Sequence, residues 1–160
     1  SFVDPGHALP YFITELTGIT DQMLVSAPFI DEILPSLFEF LGSAEETVVV
    51  AHNSPFDLSF LKAASIAHEM PWPEYVTVDT ARLARAVLDR DEVINCKLST
   101  LAQYFGATTS PNHRALDDAL ATVDVLHGLI ERLAGFDIYN FEEMRSFPSK
   151  KRRVKRPIAE

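Results

Sequence analysis

The run Val48-Val49-Val50-Ala51 constrains the fold of this chain more than any other stretch. With Thr47 it forms an unbroken, mostly β-branched segment, the pattern of a strand covered on both faces rather than a half-exposed one. Such a strand needs layers above and below it. The residues after it, His52-Asn53-Ser54-Pro55-Phe56-Asp57, turn the chain into a helix, with Ser54 as the predicted cap and Pro55 in the first helical position. A second unit of the same kind follows. Tyr75 to Asp79 reads as a short strand and Thr80 as the cap of a helix through Leu88. Alternating strands and helices predict an α/β sheet flanked by helices, with chemistry at the strand ends and on the helices that follow them.

The remaining elements read as scaffold. Pro28 to Leu41 is predicted to be a helix with a broad apolar stripe, kinked or divided at Pro35 and ended by Gly42. Tyr11 to Gly18 reads as a loop, and Thr20 as the cap of a short helix from Asp21, stapled by Ile19. Asp79 is taken as a strand-end residue without a partner, and Asp89-Arg90-Asp91-Glu92 as a solvated turn. Ser99 to Phe105 is a helix closed by Gly106, and Asp137 to Met144 a short helix capped by Asp137.

Two acidic residues stand out. Asp57 falls where a Ser-x-x-Asp capping box would put it, yet it shares a helix face with Phe60, Leu61 and Ala64 and is expected to point inward. Asp118 lies in His113-Arg114-Ala115-Leu116-Asp117-Asp118-Ala119, which opens a helical run to about Leu133. Leu116, Leu120, Val123, Leu126, Ile130 and Leu133 recur at helical spacing and predict its packed face. The stripe of Asp118 runs through Thr122, Val125 and Leu129, mostly apolar; that of Asp117 runs through Ala121, Asp124 and Gly128 and is wetter. A carboxylate on a half-apolar stripe needs a partner, and a metal is one. The plainer alternative is that Asn112 caps the helix while both aspartates favour its positive end.

Taken together, His-Asn-x-x-Phe-Asp at 52–57 and His-x-Ala-x-x-Asp-Ala at 113–119 resemble the second and third motifs of the DEDD 3′–5′ exonucleases. The resemblance is to the histidine branch, which includes the proofreading epsilon subunit of bacterial DNA polymerase III. That branch places its histidine five residues before the last aspartate, as His113 and Asp118 are, whereas the tyrosine branch would need Tyr where Arg114 stands. It extends through Leu16-Thr17-Gly18-Ile19-Thr20 and Lys97-Leu98-Ser99-Thr100-Leu101-Ala102.

The resemblance implies a ribonuclease H-like exonuclease fold with a mixed sheet flanked by helices. It also implies two divalent cations, Mg²⁺ or Mn²⁺, held by four carboxylates, of which Asp57 and Asp118 match two. His113 matches the general base, a role that suits imidazole because it titrates near working pH. Leu16, Thr17, Asn53 and Phe56 are the implied substrate contacts. On residue chemistry alone, Asn53 equally serves the turn, Phe56 the core, and His52 a satisfied hydrogen bond. The family's first motif, Asp-x-Glu, does not occur near the start of the chain, and Ser1 to Gly6 resembles the end of the family's third strand. The expectation is therefore an exonuclease domain over 1–135 with its N-terminal antiparallel strands largely missing, then a short helix and basic tail over 136–160. Alone, it should be weakly active or inactive.

Charge narrows the partners. Residues 1–149 carry 8 Lys and Arg against 22 Asp and Glu, and residues 150–160 carry 6 against 1. An acidic body argues against broad gripping of duplex DNA but not against holding a few terminal nucleotides. The basic run from Lys150 reads as a solvated linker. One cysteine, Cys96, excludes an internal disulfide framework. No apolar run spans a bilayer, so no membrane partner and a cytoplasmic location are expected. The expected substrates are single-stranded or frayed DNA 3′ ends, with a DNA polymerase as a further partner. The rivals are a catalytically incomplete module that binds a polymerase or nucleic acid, and an RNA-trimming exonuclease of the same branch.

Overall fold

A computed structural model describes residues 1–147. The basic run from Lys150 lies outside them. In chain order the elements are α1 (Tyr11–Thr17), α2 (Asp21–Leu24), α3 (Ile30–Leu41), β1 (Val48–Ala51), α4 (Ser54–Ala67), β2 (Val76–Asp79), α5 (Thr80–Val87), α6 (Leu98–Phe105), α7 (Ala115–Ala134) and α8 (Phe141–Ser146). β1 and β2 pair in parallel through the α4 crossover, with Val48 opposite Val76 and Ala51 opposite Asp79. This register aligns the two strand-to-helix turns side by side.

The expected double burial of β1 is not observed: Val48 is exposed and the rest of the strand half-buried. Among the described residues β1 is paired on one edge only, so composition suited to an interior strand meets an open side. The expected loop at 11–18 is a helix. Pro10 precedes it and Gly18, in the left-handed region at φ 69°, closes it, the start and stop signals of a helix respectively. Pro35 does not divide α3; it lies on the exposed side. That helix begins at Ile30, and the Glu32 carboxylate accepts the Phe29 N–H at 3.0 Å. Asn140, not Asp137, caps the last helix by accepting the Glu143 N–H at 3.0 Å. Glu92 is more than a solvated turn: it accepts the Asp89 N–H, the Tyr104 hydroxyl and the Arg132 guanidinium, tying the 88–97 loop to α6 and α7.

The main core lies where α5, α6 and α7 meet. Leu83, Ala84 and Val87 pack there with Leu101, Ala102, Ala121, Val125, Leu129 and Leu133. Phe136, Ile138, Met144 and Phe147 pack against the same cluster. The packed face of α7 differs from the predicted one. Leu116, Leu120, Val123 and Ile130 are exposed, while the Asp118 stripe and the supposedly wetter Ala121–Gly128 stripe face inward. Small residues explain the choice. A Cβ built on Gly128 would lie 2.2 Å from the Phe105 ring, so α6 approaches α7 where side-chain volume is least. Gly128→Ala should therefore overpack this contact and destabilise the fold by about 1–3 kcal/mol. A lower urea midpoint would show it; an unchanged midpoint would mean that the ring swings aside freely.

Candidate active site

The turn after β1 is built by three long-range bonds. Asn53 adopts the left-handed conformation at φ 65° and forms the N-cap of α4. Its N–H donates to Asp79 Oδ1 at 3.1 Å, and the same oxygen accepts from the N–H groups of Ala81 and Arg82 at 2.9 and 3.2 Å. Asp79 thus caps α5, in place of Thr80, and pins the β1–α4 turn across the sheet. Ser54 does not cap α4; it is buried as the first helical residue. The sequence undervalues Asp79 because its partner lies 26 residues away, visible only through the strand register.

His52 closes the back of this turn. Its Nε2–H donates to the Cys96 carbonyl at 3.1 Å, leaving Nδ1 to accept from the Thr80 hydroxyl at 3.0 Å. Burial lowers its pKa below the ordinary 6.5, against the opposing pull of the Cys96 carbonyl and the Asp79 and Asp57 charges. The neutral ring is the folded form. The unfolded chain therefore binds the extra proton first, and stability is full above about 6.5 and falls as the pH drops from there towards the lowered folded value. His52→Gln should flatten this part of a stability–pH profile measured by thermal unfolding; an unaltered profile would place the titrating group elsewhere.

Asp57 stands in the first turn of α4, exposed rather than inward-pointing, and its carboxylate makes no hydrogen bond among the described residues. The interior positions of that face go to Leu61 and Ala64, both half-buried, while Phe60 is exposed too. Phe56 is 61% exposed and meets Phe60 edge to face at 5.1 Å between ring centroids, so it is not core.

At the other motif, Asp118 is half-buried in the first turn of α7. Its Oδ1 accepts the N–H groups of Asn112 and His113 at 3.1 and 3.3 Å. Asn112 does not occupy the N-cap position, which is Arg114. Instead its side chain accepts the Arg114 N–H at 3.0 Å and donates to Asp117 Oδ2 at 2.7 Å. His113 is exposed and held at φ 65°, a conformation that non-glycine residues rarely adopt. Asn53 and His113, both nominated from sequence, share the left-handed region with Glu69 and Asp137, which lie outside the two motifs.

Leu16 is half exposed on α1, and Thr17 is committed locally: its hydroxyl donates to the Ile13 carbonyl at 2.8 Å and accepts the Ile19 N–H at 3.1 Å. Thr20 takes the N-cap position of α2 without a side-chain bond. Arg114 shares a hollow of about 300 Å³ with Ile13 and Ile19, joining the start of α7 to the α1 region.

The chain matches the exonuclease family RNase_T over residues 1–126. It belongs to that family. A relative from Mycobacterium tuberculosis, named as a bifunctional exonuclease/endonuclease, is 46% identical over 163 aligned positions, covering 100% of this chain and 25% of the relative. The PolC-type DNA polymerase III of Caldanaerobacter subterraneus is 37% identical over 146 positions, covering 91% of this chain and 10% of the polymerase. The chain thus spans a quarter or less of these relatives' length. Exonuclease X, solved with 5′-overhanging duplex DNA, superposes with a TM-score of 0.66 at 23% identity, covering 92% of this chain and 79% of the other. The shared architecture is the ribonuclease H-like exonuclease fold, with β1 and β2 as its parallel pair.

The donor set of the chain suits hard cations in kind. Asp57 offers both oxygens and Asp118 its Oδ2, none hydrogen-bonded among the described residues, and carboxylate oxygens are the ligands Mg²⁺ and Mn²⁺ take. It falls short in number. No three His, Cys, Asp or Glu side chains converge to hold a metal among the described residues, and none of the hollows of about 270–660 Å³ found among them is lined by Asp57, Asp118 or His113. No described helix is long and apolar enough to cross a membrane.

Proposed function

We propose that the chain is the exonuclease domain of an enzyme that removes nucleotides from DNA 3′ ends and releases nucleoside 5′-monophosphates, in proofreading or repair. The observation that supports this most is the bond from the His113 backbone N–H to the Asp118 carboxylate, which fixes the turn carrying the candidate base next to the candidate ligand. Asp57 and Asp118 would hold divalent cations, with further carboxylates needed to complete the set. Bound there, such cations would supply charge stabilisation for the attacking and leaving oxygens. His113, exposed just before α7, takes the proton of the attacking water. Asn53, Phe56, Leu16 and Thr17 position the terminal nucleotide, Phe56 by stacking on a base or ribose.

DNA is favoured over RNA because Exonuclease X was solved with DNA and several relatives are DNA polymerases. A polymerase is accordingly the favoured protein partner, and the cytoplasm the favoured location. The test uses 5′-labelled single strands of DNA and RNA with free 3′ hydroxyls, incubated with Mg²⁺ or EDTA and the full encoded protein. A ladder shortening from the 3′ end of DNA, abolished by EDTA, is expected. Preferential RNA trimming would favour the rival substrate, and no shortening of either would refute the enzyme.

A further inference from the structure

The loop between α5 and α6 and the end of α5 enclose a hollow of about 660 Å³ well apart, in sequence, from the two motifs. Arg85, Arg90 and Lys97 line it, together with Asp89, Ile94 and Cys96. Residues 1–149 carry only 8 Lys and Arg against 22 Asp and Glu, so three cations around one hollow is a local reversal of charge. None of these three forms an ion pair among the described residues, where the ion pairs are Arg132 with Glu92 and Arg145 with Glu142; Lys62, Arg82 and Arg114 form none either, but they do not share this hollow. Asp89 offsets one charge. Glu92, at the same loop, is drawn away to Arg132, Tyr104 and the Asp89 N–H.

Three cations lining one hollow make a positive potential that attracts an anion. All three are exposed, as an anion arriving from solvent requires. Ile94, 92% exposed, adds apolar surface of the kind a base or sugar covers. The hollow is also linked to the candidate active site, because Cys96 on its wall accepts the His52 Nε2–H at 3.1 Å, and His52 opens the turn that carries Asn53 and Asp57.

We infer that this hollow binds the sugar–phosphate backbone of a nucleic-acid strand upstream of the nucleotide being removed, with Arg85, Arg90 and Lys97 each facing a phosphate. The spread of the cations over residues 85–97 suits repeated charge along a strand better than a single small anion. The inference rests on the reading that the chain acts on a nucleic-acid end. The surface sets the substrate length below which affinity drops and makes binding salt-dependent.

The full encoded protein tests it, as wild type and as the triple variant Arg85→Gln/Arg90→Gln/Lys97→Gln, all at exposed positions. Anisotropy with a labelled single-stranded 20-mer in EDTA, across a salt series, reads binding without turnover. Each lost contact to a single strand lowers the slope of log K against log salt by about 0.7, so the triple variant should lose about 2. Affinity for the 20-mer should fall by at least about tenfold at low salt, while hydrolysis of a mononucleotide p-nitrophenyl ester is unchanged. Arg85→Lys/Arg90→Lys should restore the slope, and Lys62→Gln, on exposed α4 away from the hollow, should not alter it. An unchanged slope and affinity in the triple variant would overturn the inference. So would wild-type binding of the 20-mer that inorganic phosphate at millimolar concentration abolishes, which would make this a small-anion site. If the wild type hydrolyses neither substrate and the slope still falls, the surface stands and the exonuclease reading alone fails.

Discussion

Asp118→Asn should abolish measurable mononucleotide release and leave the fold intact. Asparagine is the informative substitution because Asp118 does two things. Its Oδ1 accepts the N–H groups of Asn112 and His113, and an amide oxygen can still do so. Its negative charge, which an amide lacks, is the property a cation needs. Losing several kcal/mol of transition-state charge stabilisation corresponds to a rate lower by about 10³-fold or more. Asp118→Ala removes both functions, so its thermal midpoint should drop as well. Calorimetric titration with Mn²⁺ should show weakened binding in each variant. An Asp118→Asn protein that keeps wild-type release would remove Asp118 from the chemistry and leave it only as a loop brace.

His113→Ala costs about 10²–10⁴ in turnover, the usual contribution of a positioned general base, while Mn²⁺ binding is retained. That split separates a base from a ligand. The backbone at φ 65° requires a control, since any β-carbon there is strained. His113→Asn provides it, because asparagine tolerates the left-handed region better than most residues and cannot act as the base. Equal losses in both variants, with added imidazole partly restoring turnover, are expected. A His113→Asn protein with near-normal turnover would assign the loss in His113→Ala to the turn rather than to proton transfer.

The two motifs were legible because their chemistry is local: a strand, a polar turn and a helix start put Asp57 and Asp118 in first helical turns, where both are found. What was not legible depended on partners distant in sequence. Asp79 looked idle until the β1–β2 register set it beside Asn53. The face of α7 was misread because leucine and valine at helical spacing mark an apolar stripe, whereas the closeness of Phe105 to Gly128 decides which stripe α6 can reach. Burial of β1 was overestimated for a related reason, since β-branched composition reports what a strand can tolerate rather than what covers it. The helix at 11–17 did carry its signals in Pro10 and Gly18, but the surrounding Thr14 and Thr17 are poor helix formers and masked them.

The most direct test is whether residues far apart along the chain share one cation site. Mn²⁺ added to the full encoded protein should broaden the backbone amide signals of Asp57, His113 and Asp118 together, at one concentration dependence. Broadening of only one of these stretches, or of neither, contradicts a shared centre.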